Sequence, residues 1–379
     1  MSSFLRLAAG ALLLAASPLL APPAPIRLAV RNALTAARPG ETVVVALPSL
    51  PGVNAGDLPG LAVVDPVSGK ALLAQPLDGD GDGAFDQLVF QADFASGQTR
   101  GFELRTGQRQ PPRRDDFRVY GRFVRERFDD FAWENDRVAH RMYGPALESW
   151  TKEPLTSSGV DVWCKRTRRL VVNDWYLVDD YHRDTGEGAD LYSVGKSRGC
   201  GGSGVFRDGR LHTSRNFRAS RVLANGPIRL VFELVYEAWD AGGLKVSETK
   251  RVTLDAGSHL NRFESTYTPA DVPWAAGIKK APNASLRTDR ARGLLRTWET
   301  LKEGNGSLGC AVVLDPAQLQ DFAEADGNAL ALGRGAADYW AGSGWDKGGD
   351  VADAAAWDRY LDDFSSRLRS PLDVVVSRP

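Results

Sequence analysis

Cysteine is scarce: the 379 residues hold only Cys164, Cys200 and Cys310, and no two of them form a C-x-x-C pair. That spacing excludes a zinc knuckle and a thioredoxin-type redox motif. An odd count leaves one thiol over, and Cys164–Cys200 is the candidate bridge if the chain reaches an oxidising compartment. Histidine is also rare, at His140, His182, His212 and His259. There is no G-x-S-x-G, no H-E-x-x-H and no P-loop, which removes the nucleophile-elbow hydrolases, the zincins and the P-loop nucleotide enzymes. Lys and Arg total 47 against 48 Asp and Glu, so no basic excess points to nucleic acid as a partner. Beyond the first two dozen residues no apolar run reaches the length of a membrane span.

The first two dozen residues read differently. Arg6 supplies one positive charge, Leu7 to Leu20 is LAAGALLLAASPLL, and Ala21 to Pro25 is APPAP. This charged, apolar, small-residue order is that of a secretory signal peptide, expected over residues 1–24. The expected location is therefore periplasmic or extracellular, with no membrane span after cleavage.

Length allows two domains at about 150 residues each. Residues 26–110 show short strands between Pro/Gly turns, such as Thr42–Leu47, Leu61–Val64 and Gln87–Gln91, and predict a small β-sandwich. Gln108 to Asp116 is polar and proline-containing, the composition of a linker. Residues 117–379 predict a larger all-β domain that carries the active site. Its best strand is Pro227–Trp239, where Ile228, Leu230, Phe232, Leu234 and Tyr236 recur with a period of two. Leu244–Leu254 and His259–Tyr267 continue an antiparallel meander. Few helices are expected, at Pro316–Ala325 and Asp350–Arg367.

Four stretches carry candidate chemistry. In DGDGDGAFD, Asp78, Asp80, Asp82 and Asp86 take the alternating positions of a calcium loop, with Gly83 at the sharp turn. Position 12 of an EF-hand would be Val89, so any calcium here is structural, and no cofactor is expected for catalysis. Trp133–Leu147 crowds Asn135, Arg137, His140 and Tyr143 into one segment, a density that suits a cleft. Val178–Gly202 is a long glycine-rich loop with Tyr181, His182, Lys196 and Arg198; His beside Tyr is an acid/base pair in embryo. Lys165, Arg166, Arg168 and Arg169 form a cationic run, of which Arg166, Arg168 and Arg169 read as a solvated strand face. Trp133, Trp150, Trp163, Trp175 and Tyr176 lie near the polar segments and offer faces on which sugar rings stack.

The segments ENDRVAHRMYGPAL, SSGVDVWCKR and DYHRDTGEGADLYSVGKSRGCGG, with the strand GPIRLVFELVYEAW, resemble the bacterial domain-of-unknown-function 4861 family. The strands through Leu254 and Phe263 also resemble the galactose-mutarotase-like supersandwich. The resemblance implies an exported protein that sits among enzymes dismantling pectin-like or ulvan-like polysaccharides, with an oligosaccharide containing uronic acid as its substrate. Eliminating an oxygen from a uronate requires a base for the proton beside the carboxylate, a donor to the leaving oxygen and a cation for the developing enolate. On that expectation His140 or His182 is the base, Tyr181 or Tyr143 the donor, and Lys196 or Arg198 the cation. Asn135, Arg137 and Trp163 complete the binding set. The alternatives are a glycoside hydrolase using two of Glu134, Asp161, Glu187 and Asp190, a sugar-binding protein without catalysis, and an epimerase.

Overall fold

A computed structural model describes residues 25–377 apart from 108, 153 and 179. The expected signal peptide over 1–24 lies outside the described residues. The chain is almost wholly antiparallel β. In the first strand, Ile26–Arg31, buried and exposed residues alternate strictly, so one face can enter a core. It pairs with Thr99–Thr106 in a five-stranded sheet, which packs on the three-stranded sheet of Arg38–Ala46, Gln87–Phe94 and Ala74–Leu77. Leu28, Val30, Val43, Val45, Phe90 and Phe102 fill the space between them. The last strand, Asp373–Ser377, returns to this small sandwich and pairs with Ile26–Arg31, from Arg27 opposite Ser377 to Arg31 opposite Asp373. Two distant parts of the chain thus share one sheet.

The large domain is built on an eight-stranded sheet. The expected meander forms its centre as Arg229–Asp240, Lys245–Asp255 and Leu260–Thr268. Two five-stranded sheets cover its inner face. One contains Val119–Val124, Asp130–Asn135, Ala139–Met142, Asp161–Lys165 and Gly188–Ala189. The other runs from Arg210–His212 through Cys200–Arg207, Trp274–Lys279 and Asn328–Gly333 to Leu319–Ala325. Trp133, Phe131 and Phe232 pack together in the shared interior, with Phe131 stacked 4.1 Å from Phe232. The all-β sandwich read from the sequence is the observed fold.

Two helix expectations part company. Ala354–Arg369 is helical, started by Asp353, whose side chain accepts from the Ala356 amide at 2.7 Å. Pro316–Ala325 is not: Leu319–Ala325 is a strand paired with Asn328–Gly333. Asp326 and Gly327 join the two with φ of 50° and 73°, the Asp-Gly hairpin turn, and that turn outweighs the helix propensity of the preceding residues. Among the described residues no helix is long and apolar enough to cross a membrane.

The domains meet through backbone groups. Gln75 accepts from the Ile228 and Arg229 amides and donates to the Arg229 carbonyl, all within 2.9 Å. Arg251 donates to the Gly79 carbonyl at 2.7 Å, which sets the acidic turn against the long sheet.

The helix covers the outer face of that sheet, where buried Trp357 and Leu361 pack on Leu294, Ala311 and Val313. The Trp357 ring lies over Gly309, where a Cβ would come within 2.5 Å of it. Trp357→Ala is expected to destabilise the chain by about 3–5 kcal/mol through the lost burial and the cavity left behind. Urea unfolding measures this; a change below 1 kcal/mol would show that the helix is not part of the cooperative core.

Candidate functional site

The outer face of the sheet containing Asp161–Lys165 holds a buried cluster of one cation and three carboxylates. Alternation puts Asp130, Ala132, Ala139, Arg141, Asp161 and Trp163 on that face. Ala132 and Ala139 are small, so the short helix Val172–Tyr176 and the segment after it can settle over the sheet. Arg141 sits at the centre. Its Nη2 donates to Asp161 Oδ2 at 2.6 Å and to Asp190 Oδ2 at 3.0 Å, its Nε to Asp161 at 3.1 Å and its Nη1 to the Tyr181 hydroxyl at 2.9 Å. Asp130 lies 3.7 Å from Nη1 and accepts from the Gly144 amide.

Three carboxylates around one guanidinium, all nearly dry, cannot all be charged cheaply. Burial pushes Asp130 up to about 7 and raises Asp161 and, further, Asp190; Asp161 adds repulsion to the rise at Asp190. Arg141 is held protonated well above its usual range: burial opposes the charge, and Asp161 and Asp190 more than offset it.

Tyr181 and His182 form the accessible side. Arg141 can only donate, so Tyr181 accepts from it and its own O–H is free to point elsewhere. His182 is 60% exposed; its Nδ1 faces the Asp190 carbonyl at 3.0 Å and the Asp190 carboxylate at 3.6 Å. Donation from Nδ1–H to that carbonyl leaves the Nε2 lone pair facing solvent. The two rings are 4.5 Å apart. Arg127 lies over the Tyr181 ring at 4.8 Å and donates to the Val178 carbonyl. Among the described residues Arg127 has no carboxylate within ion-pair distance.

Of the residues singled out from the sequence, the structure gathers Tyr181, His182, Tyr143 and Trp163 here. Tyr143 stacks its buried ring on Arg141 at 5.2 Å, and Trp163 is buried against Trp175, Tyr176 and Tyr181. Trp163 is therefore packing rather than a sugar platform. The others go elsewhere. His140 points to the opposite face, fully buried between Trp133 and Asn261, and burial drops it to about 3; it cannot serve as the base. Asn135 closes a hairpin, accepting from the Arg137 and Val138 amides and donating to the Asp255 and Ser258 carbonyls. Arg137, with Arg168, clamps Asp350. Arg198 is buried inside the sandwich on Ser158 and the Ser203 carbonyl, and burial lowers it to about 10. Lys196 is exposed but outside the cluster's hydrogen-bond network. Glu134 is buried on Lys165 at 2.6 Å and anchors the Val171 and Val172 amides, and Glu187 pairs with Arg169 on the surface. Arg141 and Asp130 were not singled out as site residues; the period-two alignment of Asp130, Arg141 and Asp161 was the available signal.

In the acidic turn, carboxylate oxygens of Asp78, Asp80 and Asp82 lie within 4.8 Å of one another, a donor set that fits a hard cation. Asp86 does not join them, because its carboxylate turns back to accept from the Gly79 amide at 3.0 Å.

A family model described as "Domain of unknown function (DUF4861)" matches residues 30–374. The chain belongs to this family. It is 30% identical over 375 residues to a protein of Formosa agariphila named "Uncharacterized protein P7", an alignment covering 92% of this chain and 93% of that one. Its fold is similar to that of an alpha-mannosidase from Enterococcus faecalis V583, with a TM-score of 0.51, 11% identity and coverage of 94% and 46% of the two chains. A glycosyl hydrolase family 38 protein from Enterococcus faecalis gives 0.52, 10%, 94% and 48%. This DUF4861 chain thus spans about half the length of those structures, and at such identity the likeness is one of fold.

Two predictions follow from the charges. The folded chain keeps the Asp130 proton up to about pH 7, whereas the unfolded chain releases it near 4. Above about 4 the unfolded state therefore binds fewer protons, and this group's contribution to stability falls until pH passes about 7. Asp130→Asn is expected to flatten the fall of the thermal midpoint over that window, and an unchanged slope would assign the titration elsewhere. Calcium is expected to bind at Asp78, Asp80 and Asp82, giving heat by calorimetry that Asp80→Asn abolishes; no heat from the unaltered chain would leave the turn a plain hairpin loop.

Proposed function

We propose that this protein is an exported carbohydrate-active enzyme that cleaves or dehydrates uronic-acid-containing oligosaccharides by β-elimination. The observation that carries the reading is the pairing of an exposed His182, its Nδ1 engaged by Asp190, with a Tyr181 hydroxyl positioned by Arg141. In this mechanism His182 Nε2 takes the proton from the carbon beside the uronate carboxylate. The electron pair left behind forms the new carbon–carbon double bond as the bond to the neighbouring oxygen breaks. Tyr181 delivers its proton to that leaving oxygen. Arg127, which lies over the Tyr181 ring and has no carboxylate partner among the described residues, neutralises the uronate and so stabilises the enolate. Arg141, Asp161 and Asp190 position these two groups and stay beneath them. The fold's occurrence in mannosidases supports a saccharide as the substrate.

A second reading is hydrolysis by Asp161 and Asp190. It is favoured by their sharing one nitrogen of Arg141, a closeness compatible with the separation of about 5–5.5 Å in retaining enzymes. Against it, both carboxylates are at most 3% exposed, and they already accept from Arg141.

The test mixes the protein with uronic-acid oligosaccharides and follows both ultraviolet absorbance and new reducing ends. Elimination produces a conjugated, absorbing uronyl end. His182→Ala and Tyr181→Phe are expected to lower kcat by about 10²–10⁴-fold. Arg127→Ala should raise KM and lower kcat/KM for uronates while sparing a neutral sugar methyl ester. Reducing ends without absorbance, lost in Asp161→Asn and Asp190→Asn, would replace elimination with hydrolysis.

A further inference from the structure

Cys200 begins the strand Cys200–Arg207, and Cys310 lies in Ser307–Leu314 of the eight-stranded sheet that faces it. Facing sheets pack about 10 Å apart, and a disulfide needs Cα atoms about 4.4–6.8 Å apart, so the local approach decides where one can form. Here the spacing collapses locally. A Cβ built on Gly201 would fall 2.2 Å from the Ala341 Cβ and 3.7 Å from its Cα, so only glycine permits this approach. The Tyr339 hydroxyl, donating to the Gly201 carbonyl at 2.7 Å, holds the two backbones together. Ala341 pairs with Val312, and next to it Ser343 pairs with Cys310. The Cys200 thiol donates to the Gly342 carbonyl at 3.0 Å, between those two positions. Cys200 and Cys310 both belong to the interior between the sheets, the Cys200 thiol lies on the carbonyl of Gly342, the neighbour of Cys310's partner Ser343, and both are free thiols in the structure.

Cys164 is differently placed. It pairs with Ala189 at the edge of the other five-stranded sheet, whereas the parallel bridge to Gly199, next to Cys200, is made by Val160. The candidate bridge between Cys164 and Cys200 is not formed: both thiols are free, and Cys164 lies four residues along the chain from the Val160 that meets Gly199.

We propose that Cys200 and Cys310 are a disulfide-forming pair that staples the two facing sheets of the large domain, leaving Cys164 as the free thiol. Both thiols lose their protons and together two electrons; one sulfur–sulfur bond forms. A small disulfide such as oxidised glutathione accepts the electrons and leaves as two thiols, by exchange through a mixed disulfide. The buried thiols are out of reach of an oxidant in the finished fold, and burial raises the Cys310 thiol further from its reactive form. The bond therefore forms while the sheets close, not afterwards.

The full chain is refolded in a mixed oxidised and reduced glutathione buffer, which makes the result independent of where the chain resides. It is then unfolded without reductant, alkylated and digested. The expected result is one cross-linked peptide joining Cys200 to Cys310, with Cys164 alone alkylated. Cys164→Ser keeps the cross-link; Cys310→Ser frees both remaining thiols. Reductant added before refolding should lower the thermal midpoint by roughly 5 °C or more relative to the oxidised chain, and Cys310→Ser should remove that difference. Three alkylated cysteines, or a bond involving Cys164, would overturn the pairing.

Discussion

A single guanidinium organises the candidate site. Arg141 extends from a short strand, bonds to Asp161 on the neighbouring strand and to Asp190 beyond the next, and reaches the hydroxyl of Tyr181 in the loop between. Burying one cation with three carboxylates is costly when a partner is missing, because an unpaired charge then stays in a dry site. The arrangement is tolerated because each nitrogen of the guanidinium has an acceptor and because burial favours keeping protons on the acids. The consequence is rigidity where the chain would otherwise be loose. Tyr181 and His182 belong to a loop whose surface ion pairs, Arg166 with Asp184 and Arg169 with Glu187, are half-exposed and so individually weak. Its fixed point is the buried cluster beneath it.

On the proposed elimination, that division of labour accounts for one half of the acid/base pair being exposed and the other not. A proton acceptor must meet the substrate, so His182 is open to solvent. The group that fixes its tautomer has no such need, and Asp190 can lie below. The same layering holds for Tyr181 and Arg141. Carboxylates placed under the surface tune and orient; placed at the surface they would compete for the cation that the proposed uronate would need.

Much of the fold was legible because it rests on local patterns. The alternation in Pro227–Trp239 fixed the central strand, and Asp353 ahead of an amphipathic stretch marked the final helix. Pro316–Ala325 misled because its composition favours a helix, while the deciding Asp326–Gly327 turn lies just beyond it. The site was only half legible. Tyr181 and His182 stood out as adjacent polar groups in a glycine-rich loop. His140 and Arg198 shared that polar setting in sequence, yet side-chain alternation sends His140 inward and the glycine-lined approach of the sheets buries Arg198. A sequence segment has no inside and outside until its strand has partners. For the same reason Asp130, Arg141 and Asp161, spread over three strands, became one cluster only through their register.

The location of the site follows from how the sandwich is filled. Its interior is closed by Trp133, Phe131, Phe232 and Tyr339, and around Gly201 the sheets touch. Interiors packed to this density leave no room for a sugar between the sheets. That leaves the outer faces and the rims of the sheets for a ligand. The long sheet's outer face is already covered by the final helix and by the small domain with its acidic turn. The face carrying Ala132 and Ala139 is different: small residues there leave space above the strands, filled by a short helix whose Val172, Trp175 and Tyr176 pack beside Trp163 and, next to that apolar layer, by the buried charges under a polar loop. A polar, charge-dense cover is a poor device for stability alone, since hydrophobic groups of similar volume would be at least as stabilising. That a buried charge cluster lies beneath Tyr181 and His182, where an apolar layer alone would serve stability, is the physical argument for the proposed chemistry there.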